Sequence, residues 1–130
     1  MIAYVESSAA AKILFREAET DELKRYLDAL VTEDAIVVSS LVLETELRRA
    51  ATREDVSQEL VTDILDRFDL VEPDRTVYRE AGLLPGANLR TLDALHVAIA
   101  LRVGADVMVS YDQRQIGAAQ AAGLHTISPE

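Results

Sequence analysis

From Leu92 to Val103 the chain reads Leu-Asp-Ala-Leu-His-Val-Ala-Ile-Ala-Leu-Arg-Val, apolar almost all round. A helix of that kind must be covered over most of its circumference, so it belongs between layers and not on a surface. Thr91 stands before it as an N-cap residue, and Gly104 after it as a C-cap. Asp93 falls in the first turn. One reading makes it a complement to the helix dipole, worth a few tenths to about 1 kcal/mol. The other makes it the partner of a cation, because a carboxylate beside so apolar a run is costly to desolvate alone.

The segments on either side say what covers this helix. Met1–Val5, Ala35–Val38, Leu70–Val71, Asp106–Ser110 and Leu124–Ile127 read as short strands. Between them lie helical stretches. The first runs roughly from Ala9 to Arg16, capped by Ser7 and Ser8, and the next starts at Thr20-Asp21-Glu22. A third follows the caps Ser39-Ser40, with Leu43, Leu47 and Ala50 on one face. Further helices span roughly Val56–Phe68, Asp74–Leu84 and Arg114–Ala122, the last stopped by Gly123, and Pro85–Asn88 is a loop. Strands alternating with helices predict an α/β fold with a parallel sheet covered on both faces. The 130 residues are expected to form a single domain, 1–130.

In an open parallel sheet, sites lie outside the carboxyl ends of the strands. Glu6 directly follows the first strand and Asp112 follows the Val107–Val109 strand. Asp93 opens a helix, and Glu46 lies about two turns into another that starts at a strand end. All four can approach one edge of the sheet. Two carboxylates about 4 Å apart repel by roughly 4 kcal/mol at an effective dielectric of 20, so one takes a proton or a cation binds. With no Cys in the chain, an all-oxygen set suits Mg²⁺ or Mn²⁺, and a metal-activated water suits phosphodiester hydrolysis. On spacing alone, scattered caps and surface charges explain the same acids equally well. The net charge of −10 disfavours non-specific nucleic-acid binding and favours basic partners or bound cations. A nuclease needs metal ions to offset the local charge and basic residues gathered at one rim.

Four motifs carry a resemblance. Tyr4-Val5-Glu6-Ser7-Ser8-Ala9 resembles the opening of PIN-domain proteins, which usually read Asp-Thr/Ser-Ser-Ala. Ser39 to Ala50 is similar to their second motif with Glu46 as its acid, Leu89 to Ala98 to the third with Asp93, and Ser110-Tyr111-Asp112-Gln113-Arg114 to the fourth with Asp112. Order and spacing match along nearly the full chain, and the length suits VapC toxins, the small PIN-domain ribonucleases of toxin–antitoxin pairs. The resemblance implies a PIN-like three-layer α/β/α fold with a central parallel sheet and an Mg²⁺- or Mn²⁺-dependent endoribonuclease acting on RNA. It also implies a homodimer and a VapB-like antitoxin. Glu6, Glu46, Asp93 and Asp112 are then the metal-holding and catalytic set. Glu6 departs from the usual Asp, and its extra methylene moves the oxygens.

The remaining polar residues divide. Glu44 and Arg48 form an i,i+4 pair that reads as structural. Arg49 and Arg53 share the side of Glu46 and either meet RNA phosphates or pair with acids; Arg90 and Arg114 flank Asp93 and Asp112. Ser7 either hydrogen-bonds a metal-bound water, as the resemblance implies, or caps a helix. His96 reads as a packed, hydrogen-bonded core histidine more than a general base. No apolar run approaches a membrane span and no secretory signal is visible, so a cytoplasmic protein is expected. Two rivals stand. A receiver-like signalling domain needs a Lys late in the chain, whereas the only lysines are Lys12 and Lys24. A degenerate PIN domain that binds a partner without cleaving is kept open by Glu6.

Overall fold

Ala3, Tyr4 and Val5 are wholly buried because their strand is the centre of the sheet. In the computed structural model, which describes residues 1–130, β1 (Ile2–Val5), β2 (Ile36–Ser40), β3 (Asp69–Val71), β4 (Val107–Val109) and β5 (His125–Ile127) pair in the order β3-β2-β1-β4-β5. Every pairing is parallel. Successive side chains alternate between faces, and the core divides accordingly. Ala3, Val5, Val37, Val107 and Val109 pack under α1 (Ser7–Leu14), α2 (Thr20–Thr32), α3 (Val42–Glu54) and α4 (Gln58–Leu65). Tyr4, Val38 and Met108 face α5 (Arg75–Leu83), α6 (Thr91–Arg102) and α7 (Gln113–Ala121). The result is the expected three-layer α/β/α arrangement. No helix is long and apolar enough to cross a membrane.

Helix α6 is the apolar run that demanded two-sided cover. Residues Ala94 through Ala100 are all buried, packed against α5, α7 and β2. Gly104 follows at φ +70, a left-handed residue that reverses the chain where a Cβ would be strained.

Several helix ends differ from expectation for local reasons. Glu6, and not the serines, is the cap of α1: its side chain accepts from the Ser8 backbone N–H at 3.0 Å. Arg90 occupies the cap position of α6 with no side-chain bond, so Thr91 lies inside the helix. The expected Val56–Phe68 helix contracts to Gln58–Leu65. Asp55 ends α3 in the left-handed region at φ 54, and Ser57 then caps α4 by accepting from the Glu59 N–H at 3.2 Å. The expected caps Ser39 and Ser40 end β2 instead: Leu41 takes the cap position of α3 without a side-chain bond, Ser39 donates to the Val5 carbonyl at 2.6 Å, and Ser40, one residue before the cap, accepts from the Val42 N–H at 3.0 Å.

The chain moves outward from β1 to β2 and β3, then returns to lay β4 against the other side of β1. That reversal puts a crevice at the carboxyl ends of β1 and β4. The register Val5 opposite Val109 brings the residues after each strand together, and the Glu6 N–H donates to the Val109 carbonyl at 3.2 Å.

Candidate active site

Glu6 leaves β1 into this crevice and is only 3% exposed. Its carboxylate takes the backbone N–H and the hydroxyl of Ser8. Ser8 Oγ in turn accepts the Tyr111 N–H at 2.8 Å, tying the start of α1 to the loop after β4. Burial pushes the Glu6 carboxyl above its ordinary value, with the Ser8 and Ser110 hydroxyls opposing.

Asp112 ends that loop and caps α7, its Oδ1 accepting from the N–H groups of Arg114 at 2.9 Å and Gln115 at 3.3 Å. Asp93 projects from the first turn of α6, half-buried. Burial first, and then the Asp112 charge, push its carboxyl upward; Glu46 adds to this, while the Arg114 charge opposes. The negative charge of Asp112, after β4, thus disfavours the charged form of Asp93, in the first turn of α6. Gln115 binds the helices that carry them: its side-chain N–H donates to the Asp93 carbonyl at 3.1 Å. Its Oε1 is buried without a partner. Nothing in the sequence pattern marks Gln115.

Glu46 is held from two sides. Ser7 Oγ donates to its Oε2 at 2.7 Å, and its Oε1 lies 2.6 Å from Nε2 of His96. His96 is 1% exposed, and its Nδ1 lies 2.6 Å from the Tyr4 hydroxyl. Burial holds the Tyr4 phenol far above its ordinary range, so the hydroxyl keeps its proton and donates to Nδ1. Nε2 then carries the imidazole proton and donates to Glu46. The Ser7 oxygen, 2.9 Å away, shares that donor. His96 is thus the buried, hydrogen-bonded residue it was expected to be, but one of its partners is a candidate site acid. Tyr4 was absent from the candidates. The signal for it was its alternation: it faces away from Ala3 and Val5, and a buried Tyr hydroxyl needs a partner.

An Mg²⁺ or Mn²⁺ ion fits part of this arrangement. The donors are hard oxygens, and the mutual repulsion of Asp93 and Asp112 is what a cation relieves. The quartet is not, however, gathered into one ligand set: no three Asp, Glu or His side chains stand close enough together to hold a metal ion. Glu6 is turned onto Ser8, and Glu46 onto Ser7 and His96. Of the four acids, Asp93 and Asp112 are the pair whose charges oppose one another, and two carboxylates are what a cation that keeps most of its waters would need. Ser7, at the first position of α1, serves as the clamp on Glu46.

Comparison with known proteins places this geometry in a family. Residues 3–121 match the model of the PIN domain. Ribonuclease VapC46 of Mycobacterium tuberculosis is 36% identical over 128 residues, covering 97% of this chain and 96% of its own. Ribonuclease VapC35 of the same species is 37% identical over 133 residues, with the same coverage. Among solved structures, VapBC2 from Rickettsia felis, bound to a promoter DNA fragment, superposes with a TM-score of 0.77 at 15% identity over the whole of both chains. VapC20 of M. tuberculosis, a toxin that cleaves the sarcin-ricin loop, gives 0.72 at 19% identity, covering 98% of this chain and 99% of that one.

Proposed function

The chain belongs to the PIN-domain family, and we propose that it is a VapC-type endoribonuclease, the toxin of a toxin–antitoxin pair. The observation that carries this reading is the half-buried Asp93 carboxylate at the sheet's carboxyl edge, whose charged form is disfavoured by burial and by the Asp112 charge, as a cation bound there would relieve. Support comes from the ribonuclease relatives, which match along 97% of the chain.

In this reading RNA is the substrate. Water attacks a phosphodiester phosphorus and gives up a proton, a new P–O bond forms, and the P–O bond to the leaving ribose oxygen breaks, that oxygen taking up a proton to leave as a hydroxyl. Asp93 and Asp112 would hold the Mg²⁺ or Mn²⁺ ion, which activates the water and offsets charge on the leaving oxygen. Ser7 and His96 fix both oxygens of Glu46, so that carboxylate meets the substrate in one orientation. Asp112 meanwhile keeps its capping bonds, anchoring α7 at the edge of the site. A VapB-like antitoxin that inserts a basic side chain among the acids would inhibit by competition, and a homodimer is the expected assembly.

A degenerate PIN domain that binds without cleaving is the second reading. It is favoured by the absence of any ready group of three ligands and by Glu6 being spent on Ser8. One experiment separates the two. Purified protein is given a panel of structured RNAs with EDTA, Mg²⁺ or Mn²⁺, alongside Asp93→Asn. Cleavage that requires metal and disappears in the variant is expected. Cleavage unaffected by Asp93→Asn would overturn the site, and no cleavage under any condition would leave the binding module.

A further inference from the structure

Beside Glu46 lies a cavity of about 720 Å³, within the size range of ligand sites. Helix α3 contributes Glu46, Arg49 and Arg53 to its lining, α5 contributes Tyr78 and α6 Leu92. The two arginines, one helical turn apart, are exposed. Neither meets a carboxylate. Their neighbour Arg48 behaves differently, bonding to Glu44, Gln58 and Thr62. Arg49 follows Glu46 by three residues and shares its helix face, but Ser7 and His96 have already taken both Glu46 oxygens. In a chain of net charge −10, two unclaimed guanidinium groups on the wall of a cavity are open to an anion from outside. Tyr78 is 53% exposed and Leu92 45%, so the lining also offers an aromatic and apolar surface.

We propose that this cavity binds single-stranded RNA flanking the scissile phosphate, with backbone phosphates on Arg49 and Arg53 and an unpaired base stacked on Tyr78. The inference rests on the ribonuclease reading and names the groups that hold its substrate. Phosphate-binding cations facing an aromatic platform are what single strands require, and guanidinium forks match phosphate oxygens bidentately. The occupant is a nucleic acid and not an apolar helix because two guanidinium groups without a carboxylate partner line the cavity beside the candidate site acid Glu46, itself held by Ser7. Leu92, the chain neighbour of Asp93, lines the same cavity, so a strand lying on the arginines passes beside the start of α6. A base on Tyr78 must be unpaired to expose its face, which selects loops and single strands over duplex.

The test is fluorescence anisotropy with a short unstructured RNA in EDTA, across a salt series, so that binding is read without cleavage. Each phosphate contact to a single strand contributes about 0.7 to the slope of log K against log[salt]. Arg49→Gln/Arg53→Gln should therefore lower the slope by about 1.4, while Arg67→Gln, exposed in the turn after α4 and outside the cavity lining, should leave it unchanged. Tyr78→Ala should weaken binding roughly ten-fold and Tyr78→Phe should restore it. All of these positions are exposed, and melting curves check that the variants fold. An unchanged slope in the double variant, with the parent still binding and cleaving RNA, would overturn the proposal and leave the ribonuclease reading intact. Arginine-dependent binding without cleavage at any metal concentration would do the reverse. Loss of binding to a poly-glutamate peptide, with RNA binding retained, would assign the cavity to a protein partner and overturn the proposal.

Discussion

Replacing His96 by Leu should destabilise the protein by about 3 kcal/mol, and pairing it with Tyr4→Phe should recover part of the loss. His96 is 1% exposed and joins Tyr4 to Glu46. Leu leaves the Tyr4 hydroxyl, in a residue with no exposure, without its acceptor. An orphaned buried hydroxyl costs about 1–3 kcal/mol. Leu also removes a hydrogen bond to a charged acceptor, worth about 1.5–3 kcal/mol in general. Here the lower figure applies, because the Glu46 side chain is 19% exposed and water replaces part of the bond. For a chain of this size, 3 kcal/mol corresponds to roughly 10 °C in Tm. Tyr4→Phe alone orphans Nδ1 of His96 and should cost about 1–2 kcal/mol. In the double variant neither polar atom exists, so both orphan penalties vanish together. The cycle should then show a favourable coupling of about 1–2 kcal/mol. Urea unfolding of the four proteins at one pH, compared at constant m, measures it. If the two losses add to within about 0.5 kcal/mol, Tyr4 and His96 do not act as a unit, and the tautomer assigned from them falls with it.

Burial raises the carboxyls of Glu6 and Asp93, so the folded state holds their protons more tightly than the unfolded one. The stability this contributes is full below the ordinary carboxyl range and is lost as pH climbs through the raised folded values. Metal-free melting should therefore decline from about pH 4 upward, and Glu6→Gln or Asp93→Asn should flatten the decline; equal slopes in parent and variants would exclude these groups as its source. Millimolar Mn²⁺ should raise the parent's Tm by mass action, and Asp93→Asn/Asp112→Asn should lose most of that gain; an undiminished gain would place the ion elsewhere. Asp112→Asn keeps the α7 cap and should melt near the parent without metal, whereas Asp112→Ala should lose about 1 kcal/mol; equal losses would show that capping is not what Asp112 contributes. Glu6→Gln preserves an acceptor for Ser8 and Glu6→Asp preserves the charge, so RNA cleavage should fall further in the Gln variant; full activity there would remove Glu6 from the working acids.

Periodicity alone was enough for the layers of this protein. A run as evenly apolar as Leu92–Val103 has no stable place except between a sheet and flanking helices, and short apolar strands joined by helices allow only a parallel sheet. The positions of the four acids at strand ends and in early helical turns were equally legible, because they depend on local structure. What each carboxylate touches was not. That depended on side chains distant in sequence and brought together by strand order and register: Ser7 to Glu46, Tyr4 to His96, Gln115 to the Asp93 carbonyl. The same distinction applies to the arginines after Glu46. Helical spacing put Arg49 and Arg53 beside an acid, but the tertiary structure let Ser7 and His96, from α1 and α6, reach that acid first and left both cations free. Local propensity and hydrophobic pattern act over a few residues and survive in the sequence; competition among polar groups for one buried partner is decided only once the layers have closed.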